Sequence, residues 1–297
     1  MRLAVFTKNR SNPAYAAARV GAERTAARLN ASVVHYVPQQ ADDIDEQIAL
    51  IDEALREKFD AFVLVPVHMS AVDDAVARVM AARIPIVTCI NRLDRGDFVS
   101  FVGADDGLIG RDVATYLAQH LGGRGRVVIL EGMPGSVTNV DRMQGFAQAL
   151  SAFAHIRIVA TLQGEYQQVA AREAMQAYLA ASQPAFDAVL AANDSMALGA
   201  LEALAERGLK SVVAGINAVP QAIAAIKRGE LLATADFDAM KISCIATEAA
   251  IRHLRGESVP HEIILPVQIV DLSNCMAWDQ PIEARACPQW DEVIAGK

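Results

Sequence analysis

No run of basic residues occurs anywhere in the chain, and its formal net charge is −8. A nucleic-acid surface needs a basic stripe, so none is expected here. No apolar stretch is long enough to cross a bilayer; the longest have the length of single buried strands. Aromatic side chains make up only 5% of the residues, so Ala, Val, Ile and Leu must fill most of the core. The four cysteines show no CxxC spacing and no adjacent histidine, and the six histidines are scattered singly. Zinc and thioredoxin chemistry are therefore not expected. GxSxG, HExxH and a Cys-His arrangement are also missing, which removes the commonest hydrolase signatures. "GMPGS" at 132–136 follows an apolar run and could present helix amides to an anion, but no P-loop lysine accompanies it. "GGRGRV" from Gly122 precedes a strand instead of following one, so it is no dinucleotide fingerprint. An enzyme, a cofactor and a metal are all unexpected.

What is present is alternation. "RLAVFT", "SVVHYV", "AFVLVPV" and "IPIVTCI" are short apolar runs separated by amphipathic stretches. Ile44, Ile48, Ile51 and Leu55 form one apolar stripe, with Asp45, Glu46, Asp52 and Glu53 off it. The pattern restarts after about residue 104 with "GRVVILEG", "IRIVATL", "FDAVLAAN", "SVVAGIN" and "LLATADF". Near-continuous apolar strands joined by helical crossovers predict parallel sheets covered on both faces. At 297 residues there is room for two domains, so the expected class is α/β with two doubly wound parallel-sheet lobes.

Ligands of such sheets bind outside the carboxyl ends of the strands. The loops at those ends are "TKNRSNPAY", "PVHMS", "INRLDRG", "EGMPGSVTNVDR", "QGEYQQ", "ANDS", "GINAV" and "DFDAM". They are rich in Asn, Asp, Arg and Tyr, which suits a ligand with many hydroxyls: amides and guanidinium groups bind the oxygens while rings stack on C–H faces. Within "LAANDSMALGALEAL", Asp194 or Ser195 can cap the following helix, and Asn193 stands at the strand's carboxyl edge, where capping and ligand contact are both open. Cys275 and Cys287 share one irregular, Pro-containing tail, "NCMAWDQPIEARACPQW". A disulfide between them is expected in an oxidising compartment, with two free thiols as the alternative.

From residue 2 to about 270 the chain resembles the ribose/galactose-type periplasmic solute-binding proteins of ABC transporters. It is also similar to the effector-binding core of LacI-type regulators. The motifs that carry this are "NPAY", "VPVHMSAVDDAV", "IPIVTCINR", "FVGADDGLIG", "LEGMPGSVTNVDRMQGF", "LAANDSMALGALEAL" and "KRGELLATADF". Each is weak alone; in this order, on a two-lobe pattern, they are specific. The resemblance implies the periplasmic binding protein type I fold, with a three-segment hinge near residues 104, 237 and 268. One lobe would hold 1–104 plus 238–268 and the other 105–237 plus 269–280, followed by a tail at 281–297. It implies a ligand-binding set of Asn12, Tyr15, Asn91, Arg92, Arg142, Tyr166, Asn193, Asn217 and Phe237, with a sugar, polyol or sugar acid trapped between the lobes.

The resemblance also implies an ABC permease as partner, no nucleic acid, a monomer, and a periplasmic location with the signal peptide absent from this chain. The alternative is the core of a LacI-type regulator without its DNA-binding headpiece. A signal peptide or a headpiece at the native start would decide between them.

Departures from the family pattern bear on the ligand. Asn91 and Asn217 replace two acceptor carboxylates, Phe237 stands where Gln is common, and Ala14 replaces a second aromatic. Both arginines remain, so the local charge shifts positive, which favours a differently bound polyol or a ligand bringing its own carboxylate. Asp105 and Asp236 are the residues placed by motif order to restore neutrality. Asp94 and Asp141 are the neighbours with which Arg92 and Arg142 would pair if both were surface residues. As a site residue, Arg142 is expected to support little of the core.

Overall fold

The computed structural model describes residues 1–181, 185–281 and 284–294. Two compact units divide the chain: Met1–Ala104 with Asp238–Pro266 and the C-terminal segment, and Asp105–Phe237 with Val267–Pro281. In chain order the first unit, here the first lobe, begins with β1 (Arg2–Phe6), α1 (Pro13–Arg28), β2 (Ser32–Tyr36) and α2 (Ile44–Arg56). It continues through β3 (Ala61–Leu64), α3 (Asp73–Ala81), β4 (Ile86–Cys89) and β5 (Ser100–Gly103). The second lobe then runs through α4 (Asp106–His120), β6 (Arg124–Glu131), α5 (Val137–Ser151), β7 (His155–Gln163) and α6 (Gln168–Ala180). After these come β8 (Ala188–Ala191), α7 (Asp194–Glu206), β9 (Val212–Ile216), α8 (Pro220–Lys227) and β10 (Ala233–Ala235). The chain returns to the first lobe for α9 (Ala239–Leu254) and β11 (Glu262–Ile264), and to the second for β12 (Ile269–Asp271). A short α10 (Trp290–Ile294) lies in the C-terminal segment.

The first sheet has the order β11-β5-β4-β3-β1-β2, and every pair in it is parallel. β3, β4 and β5 are buried along their whole length, as apolar strands covered on both faces must be. Four aromatic rings cluster on this sheet. Phe6 stacks on Tyr36 and meets Phe62, each at 5.1 Å between ring centroids, and Phe59 closes the group edge-on to Tyr36 and Phe62. α2 lays its stripe against this cluster, with Ile51 fully buried and Ile44, Ile48 and Leu55 partly so. Gln47 shares that buried face. It donates from Nε2 to the Val65 carbonyl and accepts the Val67 N–H through Oε1, both at 2.9 Å, so it fixes the exit of β3.

The second sheet has the order β12-β10-β9-β8-β6-β7. Its strands are parallel except β12, which is antiparallel to β10. The expected doubly wound parallel sheet is thus present in this lobe too, with β12 added antiparallel at one edge. Such an antiparallel edge strand is common on doubly wound sheets. α4 and α5 approach closely because both carry glycine at the contact. A Cβ on Gly145 would lie 2.3 Å from the Gly107 carbonyl, and one on Gly110 would lie 2.5 Å from that of Arg142.

The disulfide differs from the one expected. Cys287 is bonded to Cys244 on α9, with Cα atoms 6.0 Å apart, while Cys275 is a free, buried thiol. Closeness in sequence misleads because Cys275 belongs to the second lobe and Cys287 to the first. The segment around Cys287 is strapped to α1 and α9. Arg24 donates to the Arg285 carbonyl at 2.7 Å, and the Arg252 guanidinium lies 4.8 Å from the centroid of the buried Trp290 ring. Of the expected tail at 281–297, residues 282, 283 and 295–297 lie outside the described residues.

Candidate functional site

The carboxyl edge of the first sheet carries a chain of polar contacts that begins directly after β1. Asn12 caps α1 by accepting the Ala14 N–H at 3.0 Å, and its own N–H is held by Asn9 Oδ1. Asn9 in turn donates to Asp42 at 3.1 Å. The Lys8 ammonium, 4% exposed, lies 3.5 Å from the same Asp42 carboxylate. Tyr15 is buried one turn into α1. Asn91, also buried, follows a tight turn in which its N–H donates to the Cys89 carbonyl at 2.7 Å. That turn places Ile90 at φ +67°, a costly conformation for a β-branched residue and one that tends to occur at ligand sites.

Arg92 points elsewhere. Its guanidinium lies 3.9 Å from the Phe101 ring centroid and pairs with Glu262 on β11, not with Asp94. The side chain is 47% exposed. Exposed pairs of this kind contribute about 0–1 kcal/mol. Arg92→Ala is therefore expected to lower unfolding stability by no more than about 1 kcal/mol, as measured by urea denaturation.

In the second lobe the carboxyl edge is built around Arg142, which is 3% exposed. Its Nε donates to Asp106 at 2.8 Å and its Nη1 to the Ala192 carbonyl, just beyond β8, at 2.6 Å. The guanidinium carbon lies 5.2 Å from the centroid of the buried Phe237 ring. The expected neutraliser is off by one residue. Asp105 is exposed and caps α4 by accepting the Leu108 N–H, while Asp106 turns inward to the arginine. Burial raises the Asp106 carboxyl above its ordinary value, opposed by the charge and hydrogen bond of Arg142. A guanidinium does not give up its proton in proteins, so the Arg142 side of this contact stays charged. Asp236, the other suggested acceptor, is buried at the end of β10.

Tyr166 and Asn193 also meet. The Tyr166 ring lies over Gly132, where any Cβ would fall 2.1 Å from it. Gly132 is held by a hydrogen bond from its N–H to Asn139 Oδ1 at 2.6 Å. Asn193, 1% exposed, donates to the Tyr166 carbonyl at 3.0 Å and caps α7 by accepting the Met196 N–H at 2.8 Å. Asn193 is thus the cap, which corrects the assignment of that role to Asp194 or Ser195.

Asp194 reaches away from its own helix. It accepts the Val219 N–H at 3.0 Å and the Thr234 hydroxyl at 2.7 Å, tying β10 to the start of α8. Asn217 precedes α8 at φ +126°, followed by Ala218 at φ +49°. With Glu165 and Tyr166 also at positive φ, non-glycine strain recurs in the loops that follow strand ends.

Burial pushes the Asp194 carboxyl up to about 7, against the pull of Thr234, Val219 and Arg142. The folded protein therefore holds a proton that the unfolded chain releases near its ordinary value of 3.8. The resulting stability is present in full below about pH 4 and is lost as the pH rises through 7. Between pH 5 and pH 8 the melting temperature of the wild type should fall more steeply than that of Asp194→Asn. Equal slopes would contradict this assignment.

Lys8, Asn9, Asp42, Gln47, Asp106 and Asn139 are residues that sequence reasoning passed over. Gln47 alone left a signal, as a polar residue on an otherwise apolar helix face. Among the described residues no group of three or more His, Cys, Asp or Glu side chains is placed to hold a metal.

Two polar, partly strained strand-end surfaces on two doubly wound sheets define a class of protein, and comparison with known proteins agrees. The chain belongs to the periplasmic binding protein family: residues 3–258 match the model of the periplasmic binding protein domain. It is similar to the ribose import binding protein of Bacillus subtilis, 30% identical over 90% of this chain and 85% of that protein. Among solved structures it resembles an ABC transporter periplasmic solute-binding protein from Actinobacillus succinogenes with bound D-allose. The TM-score is 0.88 at 29% identity, over 93% of this chain and 99% of that one. A solute-binding protein from Bacillus halodurans with bound myo-inositol gives 0.87 at 26%, over 94% and 96%. The two-lobe α/β class expected from the sequence is the class of these structures. Family and relatives are extracytoplasmic binding proteins of transport systems, not enzymes.

Proposed function

We propose that this chain is a periplasmic solute-binding protein that captures a sugar, polyol or sugar acid and delivers it to an ABC permease, acting as a monomer. The observation that carries this reading is the buried Arg142, oriented by Asp106 and the Ala192 carbonyl and set against Phe237. A fixed guanidinium beside a ring suits a ligand with vicinal hydroxyls on one side and C–H groups on the other. Tyr166, Asn193, Asn217 and Phe237 are proposed to act with it, and Asn12, Tyr15 and Asn91 to bind the same ligand from the first lobe. Arg92 joins them only by leaving Glu262. The sugars in the related structures and names are of this chemical class.

The Cys244–Cys287 bond supports an oxidising compartment, where structural disulfides persist; a cytoplasmic regulator core has no such setting. The test is a thermal-shift screen of the purified chain against neutral sugars, polyols and sugar acids. A concentration-dependent rise in melting temperature with at least one of them is expected. A folded protein that responds to none would count against the proposal.

A further inference from the structure

Two of the cations at the strand ends are buried, and each is matched by a buried carboxylate of its own lobe. Arg142 meets Asp106 at 2.8 Å in the second lobe. Lys8 lies 3.5 Å from Asp42 in the first. Both carboxylates are fixed by more than the ion pair. Asp106 opens α4 at its first turn, and its neighbour Asp105 caps that helix. Asp42 accepts from Asn9 Nδ2, and its N–H donates to the Lys8 carbonyl. The positive charge left by having amides at Asn91 and Asn217 is therefore balanced inside each lobe.

That balance bears on the ligand. An anionic ligand reaching Arg142 would have to compete with Asp106 for the guanidinium, and its own charge would then lie within a few ångströms of a second carboxylate. In a desolvated site such like-charge contacts are strongly unfavourable. A hydroxyl needs only a hydrogen bond and leaves the ion pair whole. We infer that Asp106, acting through Arg142, and Asp42, acting through Lys8, set the selectivity of the site by excluding ligands that carry a carboxylate. The inference rests on the sugar-binding reading above. It makes Asp106 and Asp42 positioning residues, which need not touch the ligand.

The test is titration calorimetry of the full chain with D-ribose against D-ribonate and D-allose against D-allonate. These pairs share a carbon skeleton and differ in charge. The wild type should bind the better sugar at least about tenfold more tightly than its acid, and Asp106→Asn should narrow that ratio by about tenfold or more through a gain for the acid. The ratio reports on charge, whereas a purely structural defect would weaken both ligands alike, and that result would overturn the inference. Equal affinity of the wild type for sugar and acid would overturn it without any variant. Should Asp106→Asn not fold, Asp42→Asn must narrow the same ratio, and an unchanged ratio there counts against the inference. Where the thermal-shift screen finds another sugar as the ligand, that sugar and its acid are the pair titrated; a folded wild type that responded to nothing in the screen and bound neither sugar and neither acid would remove the sugar-binding reading first and this inference with it.

Discussion

Arg142→Ala is expected to lower unfolding stability by about 3–5 kcal/mol, the usual result of removing one partner from a buried ion pair. The loss arises less from the bond removed than from what stays behind. Asp106 remains buried without its counter-charge, the Ala192 carbonyl loses its donor, and a gap opens beside Phe237. The sequence suggested a site arginine supporting little of the core; at 3% exposure the side chain is part of the core of its lobe. Urea denaturation of wild type and variant checks this, and a difference under about 1 kcal/mol would show that the pair is solvated. Asp106→Asn should cost less, because an amide still accepts the Nε–H bond while the guanidinium keeps its contact with Ala192.

Loss of the Cys244–Cys287 bond has an effect of similar size by a different route. The bridge closes a loop with a sequence separation of 43, for which the chain-entropy estimate is about 4 kcal/mol at 25 °C, with observed losses of about 2–5. Cys287→Ser should therefore lower stability by about 2–4 kcal/mol, and wild type unfolded in the presence of dithiothreitol should match it. The strap contacts from Arg24 and Arg252 cannot replace the covalent link, because most of them are part-exposed. A variant as stable as the oxidised wild type would contradict the assignment. So would peptide mapping that found Cys287 joined to Cys275.

Much of the fold is legible in the sequence because its signals are local. β1, β3, β4, β6, β8 and β9 are apolar runs of the length of a buried strand, and the Ile44–Leu55 stripe marks α2. β5, β11 and β12 are not legible: β11 and β12 have only three residues, and β5, though as long as β3, is bounded by Ser100 and Gly103 and forms no continuous apolar run. The polar contacts fail in sequence reasoning for a related reason. Asp105 and Asp106 are adjacent and chemically alike, and only the first turn of α4 decides which one faces solvent and which faces Arg142. The same holds for Asn193 and Asp194, where the cap falls one residue earlier than the residue types suggest. Lys8 looks like a surface residue until Asp42, in the loop after β2, is brought against it. The aromatic positions Tyr166 and Phe237 came from family resemblance, not from periodicity.

The measurement closest to the central claim is calorimetric titration of the wild type and Arg142→Lys with D-ribose, D-allose and myo-inositol. Lysine keeps the charge but loses the planar fork that meets Asp106 and Ala192 together. The wild type is predicted to bind at least one of the three saturably, with one ligand per chain. Arg142→Lys is predicted to bind the same ligand at least about tenfold more weakly while remaining folded. Unchanged affinity in the lysine variant, or no saturable binding of any of the three by the folded wild type, would contradict the account.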